Sequence, residues 1–197
     1  MSIVSHENFE QFIPSYLSKP DKDELVKNLK SFRDKPYFSQ YATDMYLQGD
    51  CWAGLKIVSI RTKEEASVKA LCLSNSCDIE QSSSFPNKLV FSPIISVENY
   101  IERLKKSGAD DNRIRNFRIN LANQEITNLF YLPKSECIPY EVLVNLSDVY
   151  STDANQFFSD ENHEKSRILR LSQMGHYLLL LKISIHFCRF WENVKRS

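Results

Sequence analysis

Apolar positions along the chain change their period several times, and each change marks a stretch of different structure. From the start, Phe9, Phe12, Ile13, Tyr16 and Leu17 recur every three or four residues, then Leu25, Val26, Leu29 and Phe32 do the same. That spacing places one apolar stripe on each of two short helices within residues 1–46, the first open to a kink at Pro14 and the second stopped before Pro36. The aromatic run Tyr37-Phe38-Ser39-Gln40-Tyr41 follows, and it reads as cover for the end of a core.

Between Gly49 and Ser96 the period shortens toward two. Cys51-Trp52, Leu55-Lys56-Ile57-Val58-Ser59-Ile60, Val68 to Leu73 and Leu89 to Ile95 are short apolar or alternating runs. Bounded by Gly, Asn, Ser and Pro, they predict β-strands, with the charged stretch 61–67 as a hairpin loop. From Val97 the helical period returns with Val97, Tyr100, Ile101 and Leu104, closed by Ser107-Gly108, and a second helix starts at Asp110 with Ile114, Phe117 and Leu121 inward. Strands resume at 126–132 and 140–146, and residues 151–166 form a polar linker. A final helix spans about 172–193, apolar around most of its circumference, with Lys182, His186 and Arg189 as polar interruptions.

Unpaired strand edges are unstable in water, so five strand-like runs favour pairing into a small barrel. The expected class is therefore α+β. The expected organisation is a helical extension over 1–46, a β-barrel over 47–150 with the helices 97–124 inserted, and a linker with an apolar helix over 151–197.

Composition narrows the function classes. Lys and Arg total 25 and Asp and Glu total 25, so no whole-molecule field draws the chain to nucleic acid or an anionic membrane. Any such site has to be local, and the candidate is a patch of Arg113, Arg115 and Arg118 with Arg103, Lys105 and Lys106 on the preceding helix. Glu102, Asp110 and Asp111 lie among these bases and favour a salt-bridged, solvated face. The five cysteines are odd in number and lack metal or disulfide spacing, which points to reduced thiols and a cytoplasmic setting. His6, Glu7 and Glu10 stand where a signal peptide needs an apolar core. The apolar run of the last helix is too short for a bilayer, so no membrane partner is expected.

Candidate chemistry centres on Cys77-Asp78 in the polar turn after the second strand. Cys77 would need a base to act as a nucleophile, and no His is near it in sequence. Asp78 equally suits an Asx turn at a strand end. Asp50, Cys51, Cys77 and Asp78 have no zinc spacing, so neither a metal nor a cofactor is expected. The last helix carries the candidate contact surface. Such a helix is expected to pack in a groove of its own domain or to be shared with a partner: Tyr177, Leu181, Ile185 and Phe190 cover more than one of its sides, and any stripe left over suits a protein partner or a second copy of the chain, with Lys182, His186 and Arg189 at the rim.

Gly49-Asp50, Ala70-Leu71-Cys72-Leu73-Ser74 and Leu89-Val90-Phe91-Ser92-Pro93-Ile94 together resemble the MazF/PemK-like toxin family. That resemblance implies an SH3-like barrel and a bacterial multi-protein setting such as phage defence or toxin–antitoxin control. The family's Arg-Pro before its second strand is Val68-Lys69 here, and the Thr after its Pro-Ile or Pro-Leu is Ile95. A non-catalytic protein-interaction module is therefore the leading expectation. The alternative is an RNA endonuclease with substituted residues, using Arg61 and Lys63 on phosphate and Ser96 or Asp78, beside Cys77, for proton transfer.

Overall fold

The computed structural model describes residues 32, 36–40, 45–58, 63–79, 88–154, 157 and 167–188. The two expected N-terminal helices, apart from Phe32, lie outside that set, as do Arg61, Phe190 and most of the 151–166 linker. Cys51–Val58 (β1), Glu65–Cys72 (β2), Lys88–Ser96 (β3), Leu129–Leu132 (β4), Val142–Asn145 (β5), Tyr150–Asp153 (β6) and Arg167–Leu169 (β7) form one antiparallel sheet. Its order is β4-β5-β3-β2-β1-β7, with β6 also paired to β3. The chain is α+β, as the change of period predicts.

β1 and β2 form the expected hairpin, with Val58 opposite Glu65. Between Trp52 and Leu55 the register slips. That bulge lets two residues three positions apart face the same core, where strict alternation would send them to opposite sides. β5 and β6 lie along β3 as one interrupted strand: Val144 pairs with Ile94 and Tyr150 with Phe91. Only Ser92 and Pro93 span the gap on β3. Pro93 has no N–H to give a ladder, and the partner strand leaves the sheet opposite it. Ser92, fully buried, donates its hydroxyl to the Asn145 carbonyl at 2.8 Å and satisfies one group that the interruption frees.

Both faces of the sheet are covered. On one face Cys51, Leu71, Phe130, Leu132, Val142 and Val144 pack against Leu178, Leu179, Leu181 and Ile185 of the helix Gln173–Cys188 (α3). On the other, Trp52, Leu55, Ala70, Cys72, Leu89 and Phe91 form a second cluster with Phe157 on its border. Leu129 and Leu143, one step out of phase with their neighbours Phe130 and Val144, turn to that same side and meet the helical insertion. Each apolar side chain buried in this way stabilises the fold by roughly 1.5–3 kcal/mol.

A closed barrel does not form. The ends of the strand path, β4 and β7, are not hydrogen-bonded to each other among the described residues. The interior of a small closed barrel holds only side chains, whereas here α3 lies against the face that closure would seal. β6 also corrects the linker expectation, since 150–153 is strand.

The insertion consists of Val97–Lys106 (α1) and Asp111–Ala122 (α2). Ser96 caps α1 by accepting from Asn99 N–H, and Asp110 caps α2 by accepting from Arg113 N–H at 2.7 Å. Both helices end in paired reverse bonds: Gly108 N–H to Lys105 O with Ala109 N–H to Leu104 O, then Gln124 N–H to Leu121 O with Glu125 N–H to Asn120 O. Gln124 takes the left-handed position at φ 58°, where glycine is usual.

Candidate functional site

Residues 47–50 turn tightly before β1. Asp50 N–H donates to Leu47 O, and the Asp50 carboxylate accepts from Leu47 N–H at 3.1 Å. Gly49 at φ 88° makes the turn possible, and a Cβ there would stand 2.7 Å from Leu171 Cδ1. The turn delivers Asp50 to a fully buried position against Arg170. Arg170 Nε and Nη2 each donate to one carboxylate oxygen at 2.8 Å, and Nη2 also reaches the Met45 carbonyl. Arg167 stands 3.9 Å away as a second cation. A two-pronged pair of this geometry recovers much of the cost of burying both charges.

Beside this pair lies a cleft of about 810 Å³. Its polar wall starts at Gln48, whose N–H donates to Ser76 Oγ at 2.9 Å and whose amide nitrogen donates to Leu73 O at 2.7 Å. The Gln48 amide oxygen stands 3.2 Å from His176 Nε2. An amide oxygen only accepts, so in this arrangement the imidazole proton is on Nε2 and Nδ1 is left as the acceptor. Burial of the ring pushes the His176 pKa down, with Asp50 opposing, so the imidazole is neutral near pH 7.

The opposite wall is the segment 36–40, which bends at Tyr37. Ser39 N–H donates to Arg170 O at 3.0 Å and Ser172 N–H to Tyr37 O at 2.9 Å, which makes Phe38 a bridge partner of Leu171. Ser172 Oγ donates to Pro36 O and accepts from Gly175 N–H. Gly175 is required for this approach: a Cβ on it would lie 2.4 Å from the Tyr37 carbonyl oxygen. A second cleft of about 540 Å³ lies between this segment and residues 135–137 and 167–170.

Among the described residues that line the cleft, Arg170 is the charged side chain and it is paired with Asp50, His176 being neutral, while Arg167 lies outside the lining. Its side chains are engaged with each other and with main chain. Among the described residues no group of three His, Cys, Asp or Glu is placed to hold a metal. Asp50 and Cys51 are fully buried while Cys77 and Asp78 are exposed, which separates the four side chains named for such a site.

Cys77 and Asp78 lie on a short turn, Ser76–Asp78, whose first N–H groups are capped by Asn75: its amide oxygen accepts from Cys77 N–H at 3.0 Å. Asn75 thus supplies an Asx cap at this strand end, beside Asp78. Ser76, from the same turn, lines the cleft. Ser96 is at the far end of β3, where its hydroxyl caps α1. Phe91 pairs with Cys72 near the turn, and five residues of strand place Ser96 roughly 17 Å further on. Lys63 has φ 58°, in the β1–β2 connection.

Of the basic patch, Arg113, Arg115, Lys105 and Lys106 are exposed on the insertion. Arg115 donates to Asn112 at 3.2 Å. Arg118 is held by both oxygens of Glu98 at 2.7 and 2.8 Å and stands 3.8 Å from Glu141. On α3, Leu181 and Ile185 are buried in the chain's own core and Tyr177 is half-buried, its hydroxyl accepting from Gln173. Lys182, expected at a rim, is instead fully buried, because its stem follows the apolar face and its amine finds backbone carbonyls. No helix among the described residues is long and apolar enough to cross a membrane.

Sequence reasoning passed over Gln48, Arg170 and His176 as a group. The Gly49-Asp50 pair was the one local signal, since a carboxylate just before a buried strand needs a cation. Nothing nearby in sequence indicates that the cation stands 120 positions later. No protein-family model and no curated protein matches this chain.

Proposed function

We propose that the chain is a non-catalytic protein-interaction module, and that the cleft between segment 36–40 and the start of α3 receives an extended, uncharged stretch of a partner protein. The observation that carries this reading is that Gln48 holds Ser76 and His176, Arg170 holds Asp50, and Ser172 bonds the main chain, so that among the described residues of this cleft no hydroxyl or thiol is bonded directly to a base. Such a wall binds without reacting. Segment 36–40, held by main-chain bonds and bridged to Leu171 at Phe38, supplies a rim suited to a peptide, which is recognised by backbone bonds and alternating side chains. The near neutrality of the cleft disfavours a phosphate backbone as occupant.

The curved antiparallel run through β1, β2 and β3, with the helices inserted after β3, supports kinship with an SH3-like barrel opened by α3. On the same resemblance rests the proposal of a bacterial multi-protein setting. The engagement of Ser96 as a helix cap, far from Cys77 and Asp78, weighs against an RNA endonuclease that uses Ser96 for proton transfer.

The test is selection from a random peptide library with the whole protein as bait, run in parallel on Gln173→Trp, which fills the cleft from an exposed position. Peptides enriched by the wild type should lose at least about tenfold in affinity for the variant, a difference near 1.4 kcal/mol. Equal binding to both proteins, or no enrichment, removes the reading. Cleavage of mixed RNA by the wild type would replace it with the nuclease.

A further inference from the structure

Lys182 stands midway along α3 and is among the largest fully buried side chains of the molecule. Its Nζ donates to two acceptors, the carbonyl oxygens of Gln124 at 3.0 Å and of Ile126 at 2.5 Å. Both belong to the turn between α2 and β4. An ammonium has three N–H donors, a neutral amine two. The site therefore matches the neutral amine, and a third proton would have no acceptor among the described residues.

The two carbonyls are not free to rearrange around an added charge. Gln124 is fixed on both sides: its backbone closes α2 in the left-handed region, and its side-chain amide bonds both main-chain groups of Tyr131. Nor does a carboxylate among the described residues balance the amine. On α3 the titratable neighbours are His186, one turn away and bonded to Ser147, and His176, bonded to Gln48. In the turn, Glu125 accepts from Asn123, and on β4 the Tyr131 hydroxyl donates to Glu141. Arg118 of α2 is bound by Glu98, and Asp50 before β1 is bound by Arg170.

We propose that Lys182 is a buried proton-binding site working as a pH-sensitive latch: as a neutral amine it ties α3 to the α2–β4 turn, and taking up a proton loosens that junction. Burial lowers its pKa from the ordinary 10.5 to about 7, which places the transition at neutral pH. The same charge helps to push the His186 pKa down, after burial of that ring. The folded pKa lies below the unfolded one, so the unfolded chain binds the extra proton between them. Stability from this group is fully present above pH 10.5 and is lost as pH falls through about 7.

The direct measurement is an NMR titration of the Lys182 Cε and Nζ resonances in the wild-type chain. A transition near pH 7 is expected. Resonances that stay ammonium-like to above about pH 9 would overturn the proposal. In parallel, urea midpoints are compared at pH 6 and pH 9 for wild type and Lys182→Met, which keeps the stem and removes the proton site. The wild-type midpoint should rise with pH by more than that of the variant, and amide exchange at Gln124 and Ile126, corrected for intrinsic rate, should be faster at pH 6. Equal pH slopes in the two proteins, or exchange unchanged with pH, would show that no latch exists. The NMR titration needs no variant and decides the case even if Lys182→Met fails to fold.

Discussion

The side-chain amide of Gln124 is paired with the main chain of Tyr131: its nitrogen donates to the Tyr131 carbonyl at 2.7 Å, and its oxygen accepts from the Tyr131 N–H at 3.1 Å. One amide thus occupies the outer side of β4, the end strand of the sheet, where an unpaired edge would otherwise stand. Removing the amide should cost about 1–3 kcal/mol for the two bonds. Gln124→Gly should be the milder change and Gln124→Ala the harsher, because glycine relieves about 1–2 kcal/mol of left-handed strain. Urea denaturation of both variants checks the order; an alanine variant as stable as glycine would show that strain at this position is negligible.

Asp50 and Arg170 should behave as a unit. Asp50→Leu or Arg170→Met alone leaves one buried group without its partner and should cost about 3–5 kcal/mol. Combining Asp50→Leu with Arg170→Met removes both charges and should cost less than the two single changes added together. A double-mutant cycle reads the coupling, and simple additivity would mean that the pair is not energetically joined.

Gly175→Ala inverts an ordinary expectation. Alanine in a helix interior is normally better than glycine by about 0.8–1 kcal/mol. Here the added methyl would fall on the Tyr37 carbonyl, so a net loss of stability is expected, with faster amide exchange at Ser39 and Ser172. A stabilised variant with unchanged exchange would place segment 36–40 elsewhere.

His176 adds an acid-side dependence. Its folded pKa is lowered from 6.5 by burial, so its contribution is present above pH 6.5 and is lost as pH falls through the folded value. The Cε1 proton resonance of His176 should titrate below pH 6.5, and the denaturation midpoint should decline over the same interval. A titration above 6.5 would mean that Asp50 outweighs burial.

The strand-forming runs were legible because short apolar runs bounded by turn residues leave a local record. Leu71 between Ala70 and Cys72, and Leu143 between Val142 and Val144, are buried together with both neighbours, because successive side chains turn to opposite faces and both faces are covered. The helix ends at Ser107-Gly108 and Asp110 were equally plain, since capping is chemistry among neighbours. What escaped notice was set by distant contacts. β6 and β7 are too short and too polar to carry a period, and they are strands because β3 and β1 pair with them. Barrel closure failed as an expectation because no strand sequence says that a helix will lie against the sheet. Lys182 read as a rim residue because two carbonyls in another turn are invisible from α3.

The turn holding Asp50 and the segment that answers it are separated by most of the chain, and this sets an order of assembly. During synthesis β1, β2 and β3 are available to pair long before Arg167–Leu169 has been made. Throughout that interval Asp50 has no cation to meet and stays hydrated, so the first hairpin forms with its leading turn unfinished. Bringing Arg170 home closes a loop of 120 residues, among the slower kinds of contact a chain makes. The cleft, whose walls come from 36–40, 47–48, 76 and 170–176, comes into being only at that final step. A chain that stops short of Arg170 therefore lacks the formed cleft, and the partner binding proposed above would require the finished fold.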